Sequence, residues 1–178
     1  MVTEMAINYP HSTLIDVIPN ELPKNHDYLL RLMVEHARTY PEGEVGGRIL
    51  TNQDKYTSTI IKVRGGPNSI HIPRLSHHEL AVYRAWNTQV VYHSHPIGKS
   101  LAFSNNDKTA YQGDTIYMKD HLKISHRLDG VYTVFEYVIN ADGQFNTMAR
   151  AFGLTSLVRN TYTIRPTTIA PEKLSLVY

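Results

Sequence analysis

The stretch from Thr88 to Asp107, TQVVYHSHPIGKSLAFSNND, holds the change of element that organises the rest of the chain. Its opening residues, TQVVYH, are β-branched or aromatic at most positions and read as a strand. Pro96 lacks an N–H and ends that strand, placing its last residues at a sheet edge or rim. Ser104 with Asp107 three residues later is a capping pattern that opens a helix. His93 and His95 stand two apart, so on a strand both rings leave from one face and can chelate one ion. That spacing alone describes two structural histidines more often than a metal site. Asp107, in the first turn after a loop able to fold back, adds a carboxylate; read by itself it is only an acid favoured by the helix dipole. Together, two imidazoles and one carboxylate leave a fourth tetrahedral position open, as in catalytic rather than structural zinc sites. Ser104 is a helix cap that can also donate to a developing oxyanion.

Upstream, Asn25 is placed to cap a helix in which Leu29, Leu30, Met33, Val34 and Ala37 recur at helical spacing as far as Pro41. EVGGRIL (44–50) and YTSTIIKV (56–63) read as a strand hairpin turned by Asn52, Gln53 and Asp54. Ser76 and Glu79 open a second helix through Leu80, Val82, Tyr83 and Trp86. Downstream, the helix begun at Ser104 is expected to stop near Gln112 at Gly113. TIYM (115–118), LKISHRL (122–128) and VYTVFEYVI (131–139) then read as strands, the last two joined at Asp129–Gly130. The order predicts an α+β domain with a mostly antiparallel sheet over residues 25–154. Residues 1–24, with Pro10, Pro19 and Pro23, are expected to form an arm or short strand pair, and 155–178 a tail or added strand.

At 178 residues the chain has the size of one domain, and 42% hydrophobic against 19% charged residues is a globular balance rather than a disordered one. A net charge of +2, spread without a run of like charges, argues against a nucleic-acid partner. With no cysteine, a metal here must be held by imidazole and carboxylate. The N-terminal residues MVTEMAINYPHSTLID have neither the basic start nor the apolar run of a signal peptide, and no apolar stretch suits a membrane span. The expectation is a cytoplasmic protein, or an effector delivered without a cleavable signal.

These features resemble the JAMM (MPN-plus) zinc metalloprotease superfamily, in its bacterial-type branch. The resemblance is carried by LLRLMVEHARTYPEGEVGGRIL, then HSHP, then SNND, elements that occur in the family's order between about residues 26 and 137. It implies a cytidine-deaminase-like domain, a curved sheet flanked by helices, that binds Zn2+ through His93, His95 and Asp107. It further implies Glu44, just before Gly46–Gly47, as the general base, and Ser104 as a donor to the oxyanion. The loop PIGKSLAF is one residue longer than the family's usual one and is expected to form part of the substrate rim. The implied activity is peptide or isopeptide hydrolysis on a peptide or protein substrate; similar bacterial domains occur in toxins and effectors. Glu42 competes with Glu44 as the base, and His71 is a further cleft candidate. A non-catalytic binding or scaffold module of the same fold, and a metal-dependent hydrolase acting on a non-peptide bond, stay open as alternatives.

Overall fold

A computed structural model describes residues 14–52, 56–83, 86–125 and 131–154. Its elements run β1 (Leu14–Val17), α1 (His26–Ala37), β2 (Val45–Thr51), β3 (Thr57–Arg64), α2 (His77–Val82), β4 (Thr88–Ser94), α3 (Asn105–Ser125), β5 (Tyr132–Ile139) and β6 (Phe145–Leu154). The six strands form one sheet in the order β1-β6-β5-β4-β2-β3. Every neighbouring pair is antiparallel except β4 with β5. The chain is therefore a mixed α+β protein with a mostly antiparallel sheet. Among the described residues no helix is long and apolar enough to cross a membrane.

β2, β4 and β5 are buried along their whole lengths, because the sheet is covered on both faces. On one face, Leu29, Leu30, Met33 and Val34 of α1 pack against Val45, Ile49, Val90, Tyr92, Phe135 and Tyr137. On the other, Leu80 of α2 and Tyr111, Met118 and Leu122 of α3 pack against Leu50, Val91 and Val134. Strand alternation assigns the remaining side chains. Val91 and Val134 face α3, so His93 and Glu136, two residues on from each, face it as well. Leu50 does so on β2, which places Arg48, Gly46 and the preceding Glu44 on that same side.

α1 spans the predicted residues, but Asn25 does not cap it through its side chain. The Asn25 amide instead donates to Thr51 Oγ1 at 3.0 Å and Thr57 Oγ1 at 3.1 Å, tying the helix start to the β2–β3 hairpin. The expected capping box of α2 forms between Ser76 and Glu79, and the helix ends at Val82, short of Trp86.

The chain after Ser104 departs from expectation. No strand forms at 115–118 or 122–125; α3 continues through Gly113 as a single 21-residue helix. At 1.5 Å per residue it is about 32 Å long, enough to return the chain from the end of β4 to the start of a parallel β5. Gly113 lies inside the helix against Arg74, whose Nη2 would stand 3.2 Å from an added Cβ. β6, which the sequence did not announce, pairs antiparallel with β5 from Ile139↔Phe145 to Tyr132↔Phe152. From within the expected arm, residues 14–17 pair with β6 at the sheet's end. Residues 1–13, the turn positions Gln53 and Asp54, the Asp129–Gly130 turn and the 155–178 tail lie outside the described residues.

Candidate metal centre

The centre is built at the C-terminal end of β4, where the chain leaves the sheet for the loop before α3. His93 is the penultimate residue of β4. His95 follows just beyond, its backbone N–H donating to Ile139 O at 2.8 Å and so extending the β4–β5 alignment past the strand's end. Asp107 lies in the first turn of α3. The helix start fixes it twice: Ser104 N–H donates to the Asp107 carboxylate at 2.9 Å, and Asp107 N–H donates to Ser104 Oγ at 3.0 Å. The reciprocal cap aims the carboxylate back toward β4, as the sequence pattern predicts.

The three side chains converge. His93 Nε2 lies 3.1 Å from His95 Nε2 and 3.4 Å from Asp107 Oδ1. His95 Nε2 lies 4.0 Å from Asp107 Oδ2. Zinc bonds of about 2.0–2.2 Å at tetrahedral angles put donor atoms about 3.3–3.5 Å apart. The observed separations bracket that spacing, and each residue offers one ligand atom to a common point. The outer nitrogens are also engaged. His95 Nδ1 donates to the Ser100 carbonyl at 2.7 Å, and His93 Nδ1 stands 3.5 Å from Glu136 Oε2. A carbonyl only accepts, so Nδ1 of His95 carries hydrogen and its neutral ring presents a bare Nε2. Two bare Nε2 atoms at 3.1 Å repel unless a proton or a cation lies between them. The donor set thus fits a divalent, zinc-like ion.

Electrostatics follow from burial and pairing. Burial opposes charge on His93, but the carboxylates of Asp107 and Glu136 outweigh it and hold its pKa well above the ordinary value. Burial likewise opposes charge on Asp107, yet hydrogen bonding and charge from His93 and the Ser104 cap bring it down to about 2. A cation bound here would meet a ready carboxylate and would have to displace a proton from imidazole.

Glu44 stands immediately before β2 and is 8% exposed, whereas Glu42 is on the surface. Its backbone is held on both sides, donating to Gly66 O at 3.0 Å and accepting from Gly65 N–H at 2.8 Å. Ser94 Oγ, accepting from Val45 N–H at 2.9 Å, ties the same turn to β4. Burial raises the Glu44 pKa, and the nearby His93 and His95 act against that rise. Glu44, His95, Ser104 and Asp107 line one cavity of about 480 Å³, together with Lys99 and Ser100 of the loop expected at the rim. A second cavity of about 440 Å³ reaches His93 and Asp107 from the side of Arg48, His71, Arg74 and Asp114, which brings His71 to the cleft. Between them, the segment Ile70–Ile72 lies close over Gly46, where a Cβ would meet Tyr92 O at 2.5 Å and Ile72 Cδ1 at 2.8 Å. A larger residue at Gly46 would push this wall outward.

Glu44, His93, His95, Ser104 and Asp107 are thus gathered around one cleft, with His71 beside it, and Glu42 is not. Glu136 was missed, since an acid within VYTVFEYVI reads as an exposed strand position. So was the buried pair Arg48–Asp114, 3.3 Å apart, which walls the second cavity. Its partners lie far apart in the chain, and no local pattern announces them. Comparison of the chain with models of known protein families, with curated proteins and with solved structures finds no match.

Proposed function

We propose that the protein is a zinc-dependent peptidase or isopeptidase of the JAMM type, with the cytidine-deaminase-like fold of that superfamily. The observation that carries this reading is the meeting of two imidazole Nε2 atoms and a capped carboxylate beside a buried acid, Glu44, that lines the same cavity. His93, His95 and Asp107 would hold the ion. When bound, it would supply a Lewis acid that polarises the substrate carbonyl and acidifies water. Glu44, whose pKa burial shifts toward neutrality, takes a proton from water as the new C–O bond forms at the amide carbon. The same carboxyl returns that proton to the leaving nitrogen as the C–N bond breaks, giving a carboxylate and an amine. Ser104 keeps its hydroxyl hydrogen while its oxygen caps the helix, so it can donate to the carbonyl oxygen as charge develops, worth about 3 kcal/mol for comparable donors.

The cleft suits an extended peptide or protein segment, with cavities on both sides of the ligands. A bacterial toxin or effector setting, in the cytoplasm or delivered there, matches the resemblance, with neither nucleic acid nor membrane as partner. The test compares wild type with Glu44→Gln on peptide libraries and isopeptide-linked substrates by mass spectrometry, alongside bound zinc by elemental analysis. The expected outcome is equal zinc and a rate lower by at least about 100-fold in the variant. Wild-type turnover by Glu44→Gln would refute the assignment. Zinc binding without hydrolysis by the wild type would favour a binding module.

A further inference from the structure

We infer that Glu136 is a positioning residue of the metal centre, holding the His93 imidazole from behind and strengthening it as a ligand. The inference rests on the metal-centre reading given above. β5 is buried throughout, and among its apolar neighbours Glu136 is a carboxylate only 5% exposed. Desolvating an acid is unfavourable, and an apolar residue here would serve the sheet better. Its placement relative to His93 gives that burial a purpose. The register pairs Val91 with Glu136 and His93 with Val138, so the two side chains stand one pair apart on the face covered by α3. Glu136 Oε2 is 3.5 Å from Nδ1 of His93, while Nε2 of that ring faces His95 and Asp107.

An imidazole that binds a metal through Nε2 needs its Nδ1–H held, which fixes the tautomer and the ring's orientation. The Ser100 carbonyl does this for His95, at 2.7 Å. Glu136 does it for His93 with a carboxyl group, 3.5 Å away, in place of a backbone carbonyl, making the two histidines unequal donors. His93, buried and backed by a carboxylate, is the stronger anchor, and His95 at the rim is the weaker.

The test uses the full chain as wild type, Glu136→Gln and Glu136→Leu. Zinc affinity is measured by competition with a chromophoric chelator, and the ligand field by the visible spectrum after Co2+ substitution. Glu136→Gln, of the same shape, is expected to lose about 10- to 100-fold in zinc affinity and to shift the Co2+ bands, with an unchanged far-UV spectrum when metal-free. A purely structural Glu136 would alter only the unfolding midpoint of the metal-free protein. Zinc affinity within about threefold of wild type and an unmoved Co2+ spectrum in Glu136→Gln would overturn the inference. If Glu136→Leu fails to fold, the glutamine variant decides the matter. Failure of the wild type to bind either ion would overturn the metal centre itself, and with it this role. Normal binding by wild type and variant alike would overturn the role of Glu136 alone.

Discussion

Replacing Asp114 with alanine removes the counter-charge of an almost fully buried arginine. Arg48 has a side chain 4% exposed, and its Nη2 lies 3.3 Å from Asp114 Oδ1. With an effective dielectric constant near 20, that separation corresponds to an attraction of about 5 kcal/mol before desolvation is counted. Breaking a buried pair from one side typically costs about 3–5 kcal/mol. Arg48 keeps other acceptors: Pro73 O at 2.6 Å, Gln89 Oε1 at 2.9 Å and Ile72 O at 3.4 Å, which moves the loss toward the lower end. Arg74, whose Nε also donates to Asp114 at 2.9 Å, is 45% exposed and can return to water, adding under about 1 kcal/mol. The expected cost of Asp114→Ala is therefore about 3–4 kcal/mol, a large part of a typical domain's stability. Urea unfolding followed by circular dichroism measures it, with the slope checked for two-state behaviour. The double variant Arg48→Met/Asp114→Ala removes both charges and should recover most of the loss. A single variant costing under about 1 kcal/mol, or a double variant no better than the single, would refute the reasoning.

His36 supplies a pH prediction away from the candidate metal centre. Burial and the Lys62 charge lower its pKa to about 4, and its Nδ1 is hydrogen-bonded to the Tyr92 hydroxyl at 2.6 Å. The unfolded chain binds this proton near pH 6.5, so the contribution is complete above that pH and is lost as pH falls through about 4. Discounted for partial exposure it amounts to about 2 kcal/mol, read as the difference in urea stability between wild type and His36→Phe from pH 7.5 to 4; parallel curves would contradict it. Ser104→Ala should lower stability by about 1 kcal/mol through the lost cap, and the rate by about 100-fold. Zinc should stay bound, because the backbone N–H of residue 104 still holds Asp107. Loss of zinc in parallel with rate, by elemental analysis, would make the serine a support of the ligand rather than a donor to substrate.

The site was more legible in the sequence than the fold around it. His93, His95 and Asp107 lie within one short stretch whose strand and cap signals are local, and local signals survive folding. α3 was misread because its inward face is only partly apolar. Asp114, Thr115 and His121 are buried beside Tyr111, Met118 and Leu122, so hydropathy hid a helical period that burial restores. β6 was missed because FNTMARAFGL has no β-branched run, and its strand conformation is imposed by pairing with β5. Glu136 was hidden by the rule that acids face water, which fails where a buried acid has a partner.

The crossover from β4 through α3 to β5 brings two kinds of sequence distance to one centre. The three candidate metal donors sit between positions 93 and 107, and their approach requires only the closing of one short loop. Glu44 arrives from another hairpin and faces them only once β2 has paired with β4, through contacts such as Gly46↔His93. On the proposed reading, ion capture and proton transfer would therefore depend on different parts of the chain. If that reading holds, damage confined to the β2–β3 margin would remove the base and leave the ion's ligands in place, so a descendant could lose its chemistry while keeping its ion.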